Sequence, residues 1–129
     1  MSQIRELHQQ AMDFAEMAEV AKLRGNLTQA EQLSRQAFEK ELQAAQLIAS
    51  DVEAEPTRSV LHRSAATLAI DCGKIHTAER LIAIALSGNP PQEIAEELKD
   101  LFVQMNIHKY FARRGIAFDE TKLQRLMTQ

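Results

Sequence analysis

Residues 25–37, Gly25-Asn26-Leu27-Thr28-Gln29-Ala30-Glu31-Gln32-Leu33-Ser34-Arg35-Gln36-Ala37, return at residues 73–85 as Gly73-Lys74-Ile75-His76-Thr77-Ala78-Glu79-Arg80-Leu81-Ile82-Ala83-Ile84-Ala85. Gly, a branched apolar residue, Ala-Glu, Leu and Ala recur at the same offsets. Glycine takes the left-handed conformation that closes a helix at no steric cost. The apolar residues behind it fall three and four apart, the spacing that lines one face of a new helix. Each segment therefore reads as a turn followed by a helix, and the repeat predicts two antiparallel helical hairpins.

Working outward from Gly25, the residues Ile4, Leu7, Ala11, Phe14, Ala18 and Ala21 form one stripe, which predicts a helix from about Gln3 to Arg24. Asn26 with Gln29 three residues on predicts a capping box at the next helix. That helix carries Leu27, Ala30, Leu33, Ala37, Phe38, Leu42, Ala45 and Ala49, a stripe that drifts round the axis and so should touch two neighbours. Residues 50–56 break the pattern, and Pro56 suits the first turn of a third helix bearing Leu61, Ala65, Leu68 and Cys72. Beyond Gly73, a fourth helix bears Ile75, Ala78, Leu81, Ile82, Ala85 and Leu86. Asn89-Pro90-Pro91-Gln92 predicts a capped start for a fifth, long helix that ends at Gly115. Phe118, Asp119 and Leu123 predict a hydrophobic staple opening a short sixth helix. The expectation is one all-α domain over 1–129: hairpin 3–49, hairpin 57–88, a long capping helix 90–114 and a short C-terminal helix 119–128.

Composition narrows the function classes. Net charge is −3, and residues 1–55 carry five basic and ten acidic side chains against ten and eight in residues 56–129. Any basic surface must lie in the second half. One cysteine, Cys72, excludes an internal disulfide framework and suits a reducing compartment. The opening residues Met1 to Glu6 lack the apolar run of a secretory signal, and the longest uncharged stretch, Leu81 to Gln92, is too short to span a bilayer. A cytoplasmic protein without membrane association is expected.

The two hairpins resemble tetratricopeptide repeats, whose helices approach closely through small residues after the turn glycine. The likeness covers most of residues 11–42 and 59–90, with Pro90 at the repeat's terminal proline position in the second copy. Phe14 fills the early aromatic position of the first copy, but His62 stands there in the second; Ala18 and Ala66 supply the paired small residue. The glycines are 48 residues apart, where the family's period is about 34. A third copy fails because Glu96 and Lys99 replace large apolar residues, so the fifth helix reads as a cap over the stack. The resemblance implies a TPR-like fold and an adaptor that holds a partner protein or peptide in a groove lined by the first helix of each hairpin. By register, that groove is Met12, Ala15, Glu19, Lys22 and Leu23 with Val60, Arg63, Thr67, Ile70 and Asp71. Arg63 would be its anchor, since a guanidinium offers a fork of donors. Glu16 and Ser64 stand where the family's carboxylate clamps have Asn, which argues against binding of a free C-terminus.

Catalytic chemistry finds little to stand on, and no enzyme, cofactor or metal site is expected. The histidines His8, His62, His76 and His108 are scattered, and Gly73 separates Cys72 from His76. Glu93, Glu97 and Asp100, like Asp13, Glu16 and Glu19, read as solvated helix faces. No phosphate-binding glycine loop or nucleophile elbow is present. The run His108-Lys109-Tyr110-Phe111-Ala112-Arg113-Arg114 interleaves cations with aromatics, which keeps nucleic-acid binding through the fifth helix as the disfavoured alternative. The fifth helix also carries two apolar sets. Ile94, Leu98, Leu101 and Met105 suffice to pack on the preceding hairpin, while Val103, Ile107, Tyr110 and Phe111 point elsewhere. Either the C-terminal segment covers this second set in a monomer, or a homodimer does.

Overall fold

In the computed structural model, which describes residues 2–115 together with 121, 125 and 126, the helices follow in the order α1 (Ser2–Leu23), α2 (Leu27–Ile48), α3 (Thr57–Asp71), α4 (Ile75–Leu86) and α5 (Gln92–Arg114). No strand occurs among the described residues. The sixth helix expected over 119–128, with its staple, lies outside the described residues apart from 121, 125 and 126, which are helical.

The glycines turn the chain where the repeat places them. Gly25 and Gly73 have φ of +78° and +76°, a region in which any residue with a Cβ is strained. Their amides bond back to Lys22 O and Ile70 O, and the next residues, Asn26 and Lys74, bond to Ala21 O and Ala69 O. Each helix end is thereby closed with its last carbonyls satisfied. Asn26 Oδ1 accepts from the Gln29 amide at 3.2 Å; the return bond of the cap runs between the two side chains, Asn26 Nδ2 to Gln29 Oε1 at 3.0 Å.

Two starts differ from the sequence expectation. Pro91, not Asn89, stands at the N-cap of α5, and no side chain caps it. Ser87 and Gly88 still turn, with their amides bonded to Ala83 O and Ala85 O, and Pro91 is extended at φ −54°, ψ 149°, so the helix begins only at Gln92. At α3, Pro56 lies outside the helix, and Glu55 does the capping: its Oε1 accepts from the Ser59 amide at 2.8 Å. A glutamate before a proline is not a conventional cap signal, since the side chain must reach round a ring to find the third helical amide.

Packing follows the stripes. α1 buries Ala11, Ala18 and Ala21 and half-buries Ile4, Leu7 and Phe14 against α2. Alanine on both faces, Ala30, Ala37 and Ala44 on α2, lets the two long helices run close together. The drift of the α2 stripe is real: α2 packs on both α1 and α3. The main core gathers Phe38, Ala45 and Ile48 of α2, Leu61, Ala65 and Ala69 of α3, Leu81, Ile82 and Ala85 of α4, and Ile94 and Leu98 of α5. A smaller cluster of Ala18, Ala21, Ala30 and Leu33, with Phe14, fills the Gly25 end of the first hairpin. α5 lies on α3 and α4, closing the core with Leu98, which is fully buried; truncating such a leucine costs about 2–5 kcal/mol. Met105 is the last α5 residue packed on that core, and none of residues 106–115 is buried.

Candidate functional site

The Gly25 end of the first hairpin meets the end of α3, and a groove of about 510 Å³ opens between them. Lys22, Leu27, Ala30, Glu31, Ser34 and Arg35 line it from the first hairpin, and Asp71 and Cys72 from the second. Local rules put these side chains there. Gly25 folds α2 back so that Leu27, at its first position, stands at the rim, 63% exposed, while Ala30 forms a buried floor. Gly73 ends α3 directly after Asp71 and Cys72, so both project at a helix terminus.

Charge alternates around this groove. Lys22 pairs with Glu19 at 3.6 Å on the surface, a contact worth no more than about 1 kcal/mol. Partial burial raises the Asp71 carboxyl above its ordinary range; the Lys22 ammonium pulls it down and Glu19 pushes it further up. Burial likewise raises the Cys72 thiol, and the adjacent Asp71 carboxylate adds to this. Cys72 is therefore a neutral thiol at physiological pH, an apolar wall and not a nucleophile.

The ten groove positions taken from the family register do not all converge. Lys22 and Asp71 line the same groove, and Glu19 lies within electrostatic reach of Asp71. Leu23 is 86% exposed, and Thr67 is exposed with its hydroxyl donating to Arg63 O. Met12 and Ala15 are half-buried, as are Val60 and Ile70, which pack on the main core. Arg63 is engaged by its own chain at the surface: its Nη1 donates to Glu97 Oε2 of α5 at 2.6 Å. On α5 itself, Val103 and Tyr110 are exposed, while Ile107 and Phe111 are half-buried. Tyr110 stacks edge-on against Phe111, with ring centroids 5.6 Å apart, and Arg114 lies over the Tyr110 ring at 5.3 Å.

Buried polar residues are where the sequence reading saw none. Glu41 is fully buried and both of its oxygens lie 2.9 Å from His8 Nδ1, which ties α1 to α2. Arg58, 2% exposed, donates from Nε to Ala49 O at 2.8 Å and from Nη2 to Ile84 O at 3.1 Å. One guanidinium thus serves the C-terminal ends of α2 and α4, where the helix dipoles favour a cation. The His62 Nδ1–H donates to Arg58 O at 2.7 Å. Burial lowers the His62 pKa below the ordinary 6.5; the Arg58 charge adds to this, while the bond to the Arg58 carbonyl and the charge of Glu55 oppose it. A signal for this cluster exists in the spacing: Arg58, His62, Ala65 and Ala69 follow at four, three and four, the buried face of α3. These bonds join α1 to α2 through His8 and Glu41 and the ends of α2 and α4 through Arg58, while His62 bonds within α3.

A further groove of about 440 Å³ lies along the first hairpin, lined by Asp13, Glu16, Met17, Val20 and Ala21 of α1, by Arg24 of the turn and by Gln29 and Leu33 of α2. Among the described residues no group of three or more His, Cys, Asp or Glu is placed to hold a metal ion, and no helix is long and apolar enough to cross a membrane. Comparison with family models, with curated proteins and with solved structures finds no match.

Proposed function

We propose that this chain is a non-catalytic interaction module of tetratricopeptide-like build that holds a segment of a partner protein in the groove between its two hairpins. The observation that supports it is the groove's composition: an exposed leucine and an alanine floor flanked by Lys22 and Arg35 on one side of the charge balance and by Glu31 and Asp71 on the other. Such a surface suits a peptide that carries an apolar anchor and charges of both signs, because apolar contact supplies affinity while the charge pattern fixes register. The neutral Cys72 thiol adds apolar wall without reactivity, and its free state fits a reducing, cytoplasmic setting.

Capture from native lysate tests this when wild-type chain is compared with Lys22→Glu/Asp71→Lys and with Leu27→Asp. The specific partner should be retained by wild type and lost from both groove variants, with melting temperatures unchanged because all three side chains are exposed. A partner retained equally by all three proteins overturns the assignment of the groove. Loss of the partner only on replacing Lys109, Arg113 and Arg114, with nuclease sensitivity, would move the function to nucleic acid.

A further inference from the structure

Helix α5 carries a second stripe on the side away from its core contacts. Glu96, Asp100, Val103, Ile107, Tyr110 and Arg114 follow one another at spacings of four, three, four, three and four. That is the a/d spacing through which two helices pair. The core-facing residues Ile94, Leu98, Leu101 and Met105 occupy the opposite side of the same helix. Of the second stripe, Glu96, Asp100, Val103, Tyr110 and Arg114 are exposed and Ile107 is half-buried.

The order of chemistry along the stripe is acid, acid, aliphatic, aliphatic, aromatic, base. Reversed, it complements itself. We propose that α5 is a self-association surface through which two copies of the chain pair antiparallel about a two-fold axis. In that register Glu96 faces Arg114 of the second copy, Asp100 faces the hydroxyl of Tyr110, and Val103 faces Ile107. Every contact occurs twice by symmetry. Charge decides the direction, because a parallel pair would set Glu96 on Glu96 and Arg114 on Arg114. Arg114 is already held along the stripe by its place over the Tyr110 ring, which lowers the entropy lost on forming the ion pair. The two hairpin bodies lie on opposite sides of the helix pair, since each α5 binds its own α3 and α4 through the other face. The pairing neither uses nor blocks the groove between the hairpins.

The stripe is roughly 27 Å long. A single helix pair of that length falls at the small end of stable interfaces, so the dissociation constant should be on the order of tens of micromolar. Sedimentation equilibrium of the full chain, from about 5 to 500 μM, reads it directly, with the variants Glu96→Arg, Arg114→Glu and the double variant. Each single reversal sets like charges together at both ends of the pair and should weaken dimerisation about tenfold. Mixing the two single variants brings unlike charges back together, so they should pair with each other at near wild-type affinity. The double variant should self-associate as wild type does. Unchanged circular dichroism keeps folding out of the comparison, and 1 M salt should shrink the deficit of the single variants. A wild-type chain that is monomeric throughout the range overturns the proposal, as do single variants that dimerise like wild type or a mixture that fails to pair.

Discussion

Gly88→Ala is the substitution whose effect depends most on a side chain far away in sequence. Gly88 has an ordinary backbone conformation, so alanine there should gain about 0.4–1 kcal/mol by restricting the unfolded chain. The structure reverses that sign. A Cβ built on Gly88 overlaps Arg58 Nη1 and lies 3.2 Å from Cζ. The guanidinium is 2% exposed and cannot swing into solvent without giving up its bonds to Ala49 O and Ile84 O. Hydrogen bonds to a charged group contribute about 1.5–3 kcal/mol each, and partial loss of two gives a cost of roughly 2–3 kcal/mol for Gly88→Ala. Arg58→Met keeps the aliphatic stem, removes the guanidinium and leaves Ala49 O without its donor, at a similar cost. Ile84 O retains the Ser87 hydroxyl at 2.7 Å. In the Arg58→Met background the clash is gone, so Gly88→Ala should there be neutral or stabilising. Urea unfolding followed by circular dichroism on wild type, the two single variants and the double variant measures the coupling, expected at about 2 kcal/mol or more. Equal cost of Gly88→Ala in both backgrounds would refute the account of why glycine stands at this loop.

Two further outcomes are expected from the fold itself. Gly25→Ala and Gly73→Ala should each destabilise by about 1–2 kcal/mol through the left-handed backbone alone, because nothing lies within 4 Å of an added Cβ; asparagine, which tolerates that region, should cost less at both sites in the same urea assay. Burial lowers the His62 pKa below 6.5 in the folded chain, so the unfolded chain binds the proton more readily. His62 therefore contributes its full stability above about pH 6.5 and loses it as pH falls through the depressed folded value; His62→Gln should flatten that acid limb, and an unchanged slope between pH 6.5 and 4.5 would contradict the buried neutral imidazole.

The parts of this molecule that were legible in the sequence are those decided within a turn or two of chain. Gly25 and Gly73 announce their turns because left-handed backbone is a local property, and the α1 and α5 stripes announce their buried faces because helical period is local too. Asn26 caps as its neighbours require, whereas Asn89 does not, because Pro90 and Pro91 hold the chain extended past the position where an asparagine side chain would reach the first amides. What stayed hidden depends on partners brought from a distance. Glu41 sits in the charged run Glu39-Lys40-Glu41, where nothing marks one carboxylate for burial until α1 folds back and delivers His8. Arg58 carried no signal of its own in the sequence, and Arg63 read as the groove's anchor. The first is buried because the ends of α2 and α4 converge on it, and the second is engaged because α5 places Glu97 beside it. The same reasoning separates the two candidate surfaces. The groove at Lys22 and Asp71 exists only once the hairpins stack, so register within each helix could name some of its residues but not gather them. The self-complementary stripe of α5 lies on one helix and is wholly local, and the fold adds to it one thing: the opposite face of that helix is committed to the core, which leaves the stripe on the outside.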